Sequence, residues 1–100
     1  MIKISYKEKD NHINYVKISG HANYADEGFD IVCASVSSIA ITTINAIIRI
    51  DEESIYYSEN DGLLEIGIVK ENEIVDLLII NMISMFEELE EQYKDYIKIK

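Results

Sequence analysis

The sequence predicts an α+β fold, a single two-layer domain over residues 1–100 in the order ββαββαβ, with two helices packed on a mainly antiparallel five-stranded sheet. Three observations carry this expectation. Apolar and polar side chains alternate over Ile2, Ile4 and Tyr6 and again over Leu64, Ile66 and Ile68, the two-residue period of half-buried strands. Apolar residues recur at three and four over Val32, Val36, Ile39/Ala40, Thr43/Ile44 and Ile47, and over Ile74, Leu77/Leu78, Met82, Phe86, Leu89 and Tyr93, the period of a helix with one buried stripe. Amphipathic strands and helices of this number bury their apolar sides best as two layers around one core.

Taken in order, the first strand starts at Ile2, and Asp10-Asn11 marks the turn into a second strand from Ile13 to Ser19 that ends at Gly20. Both turn residues tolerate the left-handed region that tight hairpins need. The first helix is expected from about Ile31 to about Arg49, with Asp30 as its N-cap. Ser54 to Ser58 and Leu64 to Val69 flank Asn60-Asp61-Gly62 and form a second hairpin. The helix with the Ile74 to Tyr93 stripe follows, and Ile97 and Ile99 alternate with Lys98 and Lys100 as a last strand.

Charge narrows the function classes. With 19 acidic against 9 basic side chains the chain carries a formal −10, which repels phosphate backbones and anionic lipid headgroups, so no nucleic acid and no membrane partner is expected. At 48% hydrophobic the composition is that of a folding domain, not a disordered one. The first ten residues lack the apolar block of a secretion signal, and the single Cys cannot make an internal disulfide; a cytoplasmic location fits both. Glu87, Glu88, Glu90 and Glu91 read as a solvated face or as an attraction for a basic partner, and Met82, Met85 and Phe86 as core, or as a dimer contact where they face outward.

One segment departs from packing logic. Gly20 to Asp30 shows no period and holds Gly28, and at eleven residues it exceeds the two to six that usually join a strand to a helix. It begins with His21 and feeds a helix whose first turn is expected to hold Cys33. A helix N-terminus stabilises a nearby anion by about 0.3–1 kcal/mol, which lowers a thiol pKa by only about one unit. A second cation is needed, and an imidazolium from His21 supplies it while keeping a proton ready for a leaving group. Asp30 could orient that imidazole, and Ser37, one turn after Cys33, could donate to the thiolate. The same residues also fit a buried Cys acting as a small hydrophobe and a polar loop His, so the residues alone leave both readings open. His12, His21 and Cys33 lack paired ligand spacing, so no metal is expected, and acyl transfer by Cys and His needs no cofactor.

Gly20-His21-Ala22, Gly28, and Asp30-Ile31-Val32-Cys33-Ala34, followed by Ser37 and Asn45, resemble the ribosomal-processing cysteine protease family Prp. The likeness extends to element order and length. It implies a cytoplasmic, homodimeric endopeptidase that removes a short amino-terminal extension from a bacterial large-subunit ribosomal protein, number twenty-seven, with a basic amino-terminal region. It further implies a dyad of His21 and Cys33 and a substrate loop holding Gly20, Ala22 and Gly28. The competing expectations are a non-catalytic acidic module that binds basic ribosomal protein segments and, less well supported because no second Cys could resolve it, a thiol redox sensor.

Overall fold

The computed structural model describes residues 1–20 and 27–100, with residues 27–30 by their backbone alone. It contains β1 (Ile2–Lys9), β2 (His12–Ser19), α1 (Glu27–Asp51), a short 3₁₀ turn (Glu52–Ser54), β3 (Ile55–Asn60), β4 (Leu63–Ile68), α2 (Glu73–Gln92) and β5 (Ile97–Ile99). The strands form one sheet in the order β3-β4-β2-β1-β5. All neighbours are antiparallel except β1 and β5. The expected order and class are both found.

The hairpins follow from their turns. Asp10 and Asn11 have φ of 53° and 66°, and Asp61 and Gly62 have 47° and 79°, the paired positive φ of two-residue turns whose twist matches that of the strands. Register then sorts side chains by face. Ile4, Ile18 and Leu64 line up across β1, β2 and β4, as do Tyr6, Val16 and Ile66, and apart from Tyr6 these are buried. On the opposite, open face the same register makes a row of Lys7, Tyr15, Gly67 and Tyr56. The Lys7 ammonium stands 5.3 Å from the Tyr15 ring centroid, and the Tyr56 ring covers Gly67, where a Cβ would meet it. Burial raises the Tyr15 phenol above its ordinary pKa, with the Glu65 carboxylate adding to the effect.

Both helices cover the other face. Val32, Val36, Ala40, Ile44 and Ile47 of α1 join Val75, Ile79, Met82, Ile83 and Phe86 of α2 in one core with the inward strand residues. Ile31–Ser54 is long and apolar enough by composition to cross a membrane. Its buried stripe faces the sheet while Ser38, Thr42, Asn45 and Arg49 are exposed, so it is the central core helix of this domain.

Two boundaries differ from expectation. α1 begins at Glu27, not Ile31, so Asp30 is a helical residue and not the N-cap, and Gly28 lies within the helix and not in a loop. Ile74 and Leu77, expected inside, are exposed, and Val75, Ile79 and Ile83 take the core positions. The start of α2 is fixed by its cap: the Asn72 side chain accepts from the N–H groups of Ile74 and Val75 at 2.9 and 3.3 Å. Ser54, expected in the strand, instead closes the 3₁₀ turn by donating to the Asp51 carbonyl at 2.8 Å. Asp51 caps the turn and meets Lys70 at 3.0 Å. That pairing holds its carboxyl below the usual range, so the contribution is present at neutral pH and fades as acid titrates the group.

Gly20 and Gly67 differ in how a substitution would be met. Gly20 has φ +94°, and a Cβ there would strike the Met1 carbonyl of the backbone; at Gly67 it would strike only the Tyr56 ring, which is 53% exposed and able to swing away. Gly20→Ala should cost about 1–3 kcal/mol, and roughly 4–8 °C in Tm per kcal/mol, with Gly67→Ala costing clearly less. Thermal unfolding of both variants checks the order.

Candidate active site

Cys33 is the seventh residue of α1, at the edge of the core and half-buried against it. This corrects the expectation of a first-turn thiol. The unpaired N–H groups of a helix are its first four, here those of residues 27–30, and the dipole effect fades within the first turn. The helix end therefore does less for Cys33 than its expected position implied. Its Cβ still tilts towards the helix N-terminus, so the thiol overhangs the turn below it. Ser37 follows on the same flank and is half-buried too.

The flank is defined by what α1 does on its other side. Ala34, Ser35, Ser38 and Ile39 line a groove of 440 Å³ with Met85, Glu88, Leu89 and Gln92 of α2. Cys33 and Ser37 sit at 100° steps that carry them past the buried stripe to the side away from α2. α1 contacts β3 and α2 contacts β2 and β5, so the Cys33 flank is the one nearer β3. Sequence reasoning did not find the groove; the small side chains at 34, 35 and 38 are its only signal in the sequence. Of the acidic run, Glu88 rims this groove and Glu90 accepts from the Ile99 N–H at 2.9 Å, so the run is not one uniform solvated face.

The site is anchored by the end of β2. The Gly20 N–H donates to the Gly62 carbonyl at 3.1 Å, and Gly20 lies against Met1, so the backbone is fixed one residue before His21. His21 and Ala22 lie outside the described residues, as does the side chain of Asp30. The other histidine is committed elsewhere. His12 Nδ1 meets Asp76 Oδ2 at 2.8 Å, which ties the first hairpin to the first turn of α2. It stands at the opposite end of β2 from Gly20, about 26 Å away at the usual rise per residue. Among the described residues no three His, Cys, Asp or Glu side chains converge as metal ligands.

The pattern that describes cysteine protease Prp matches residues 1–98. A ribosomal processing cysteine protease Prp of Staphylococcus aureus is 31% identical over 93 residues, spanning 90% of this chain and 88% of that protein. The crystal structure of an essential ribosomal processing protease Prp from S. aureus with a substrate peptide superposes with a TM-score of 0.92 at 28% identity, covering 100% of this chain and 98% of the other. Another, with a covalently linked product peptide, gives 0.83 at 30% identity and the same coverage.

With little help from the helix end, acidity of the thiol should rest on the histidine. Iodoacetamide should label Cys33 in the native protein at neutral pH, and His21→Ala should move the labelling inflection up to the ordinary thiol range near ~8.5. Labelling that occurs only after denaturation, or that is indifferent to His21, would identify Cys33 as a core residue.

Proposed function

The chain belongs to the Prp family of cysteine proteases, and from that premise we propose that it removes the amino-terminal extension of the large-subunit ribosomal protein numbered twenty-seven, with Cys33 and His21 as its dyad. The single observation that carries the reading is the seating of the chain's one cysteine at the half-buried edge of α1, on the helix that follows the Gly20 end of β2, with the other histidine, His12, paired to Asp76.

The chemistry follows from the residues. The Cys33 thiolate attacks the scissile carbonyl carbon, and the carbonyl oxygen takes up the negative charge. The unpaired N–H groups in the first turn of α1 are the donors best placed to hold it. The tetrahedral adduct collapses by breaking its C–N bond, and imidazolium at His21 gives its proton to the departing amine, leaving a thioester. Water then attacks the thioester, His21 takes the proton, and the acid is released with the thiolate restored. Ser37, on the same flank, is a positioning residue for the thiolate, and Asp30 for the imidazole.

The partner reading rests on charge and on one exposed face. A chain at −10 attracts a substrate segment rich in Lys and Arg before contact, and Glu88 places one of those charges on the α1–α2 groove, on the flank of α1 opposite Cys33. Ile74, Leu77 and Ile80 of α2 are 54%, 66% and 54% exposed, an outward apolar strip suited to a second copy of the chain in a homodimer. A reducing cytoplasmic compartment keeps the nucleophile available.

Incubation with the extended ribosomal protein should give a product shortened at its amino terminus, read by mass. Cys33→Ala should abolish cleavage while leaving Tm and substrate binding in place, because Ala is well tolerated in a helix and removes little volume. Binding without cleavage by the unmodified protein would instead favour the acidic binding module.

A further inference from the structure

The two edges of the sheet are finished differently. At the β5 edge the Ile99 N–H, which points away from β1, is taken up by the Glu90 carboxylate at 2.9 Å, and the strand is only three residues long. At the other edge β3 runs six residues, Ile-Tyr-Tyr-Ser-Glu-Asn, without a bulge, a proline or a lysine, the usual devices that blunt an exposed edge. Its pairing fixes which groups face outward. The Val69 N–H donates to the Ser54 carbonyl at 2.9 Å, so Tyr56 with Gly67, Ser58 with Glu65 and Asn60 with Leu63 are hydrogen-bonded pairs in register. The N–H and C=O groups of Ile55, Tyr57 and Glu59 therefore project from the open edge, and among the described residues none is engaged by another backbone or side-chain group.

That edge lies on the same side of α1 as the candidate nucleophile. α1 starts at the Gly20 end of the sheet and returns through the 3₁₀ turn to the start of β3, so it runs back along this strand with Cys33 on its nearer flank. Tyr57 and Glu59 pair with the buried Ile66 and Leu64, which puts their side chains on the helix-bearing face. Yet Tyr57 remains 52% exposed. The helix layer thus stops short of β3 and leaves a shelf between the strand edge and the Cys33 flank.

We propose that this edge docks the substrate: an extended segment next to the scissile bond adds to β3 as a sixth strand through the main-chain groups of Tyr57 and Glu59, with alternate side chains directed onto the shelf beside Cys33. The inference rests on the protease reading above. Main-chain pairing supplies affinity for an extended chain of any sequence and alternate pockets supply selectivity. Charge selects the occupant. Two copies of this edge paired with each other would bring Glu59 and its acidic neighbours Glu52, Glu53 and Asp61 together, whereas a basic substrate segment is attracted by them.

The test uses the Cys33→Ala protein and a synthetic peptide spanning the extension junction, methylated at one main-chain nitrogen at a time. Affinity should fall about tenfold at every second residue, the loss of one or two backbone hydrogen bonds, and hold at the positions between. In the otherwise unmodified enzyme Tyr57→Pro, which removes an outward N–H without touching the β3–β4 ladder, should raise KM by a similar factor with kcat nearly unchanged. Binding that ignores the methyl position overturns the edge and leaves the protease reading standing. A peptide neither bound nor cleaved overturns both. Tyr57→Pro that turns a dimer into monomers with KM unchanged assigns the edge to a second copy and refutes the proposal.

Discussion

Five α1 side chains, Val32, Val36, Ala40, Ile44 and Ile47, are buried against the sheet, and this contact leaves the helix one way to lie. Its partners are the inward residues of β1, β2 and β4, which the hairpin turns bring into register. Burying one such aliphatic side chain contributes roughly 1.5–3 kcal/mol, so rotating α1 by even one residue position, which would exchange Val36 for Ser35 or Ser37, is strongly disfavoured. The placement of Cys33 is a consequence of that seating. The core stripe holds the helix, and the cysteine occupies a position to one side of it, half-buried against the core.

The same seating divides the helix layer into two unlike flanks. Towards α2, small residues at 34, 35 and 38 leave a groove with an acidic rim at Glu88. Towards β3, the sheet extends beyond the helix, and Tyr57 stands half-exposed at its margin. A polypeptide substrate needs contacts on both sides of its scissile bond, and the seating of α1 offers both from one rigid element. Gly20 completes the arrangement from the other side, since its positive φ and its contact with Met1 fix where the chain leaves the sheet towards the helix.

Much of this was legible in the sequence, for reasons that also explain what was not. Asp61-Gly62 and Asp10-Asn11 announce hairpins because few residue pairs accept two successive positive φ values, and the strands on either side alternate cleanly. The start of α1 was misplaced because Asp30 precedes an apolar run as an N-cap does, whereas Glu27-Gly28-Phe29 carries no periodic apolar signal and becomes helical all the same. The phase of α2 is not legible because residues 74–83 are apolar on nearly every side, so the spacing fits more than one stripe; the burial of Val75, Ile79, Met82, Ile83 and Phe86 in the common core decides among them. Cys33 stands out in the sequence as the one cysteine, but its expected first-turn position does not hold: in the second turn the thiol gains less from the helix dipole, so the proposed dyad leans more on His21.

The central claim is that Cys33 carries the acyl group between the two halves of the reaction. It is tested most directly by quenching the enzyme in acid within its first turnover on the peptide spanning the extension junction and mapping the adduct by mass. The account predicts protein heavier by the amino-terminal fragment less one water, with the added mass on Cys33 as a thioester. Shortened product accumulating over successive turnovers while Cys33 is never modified would contradict it.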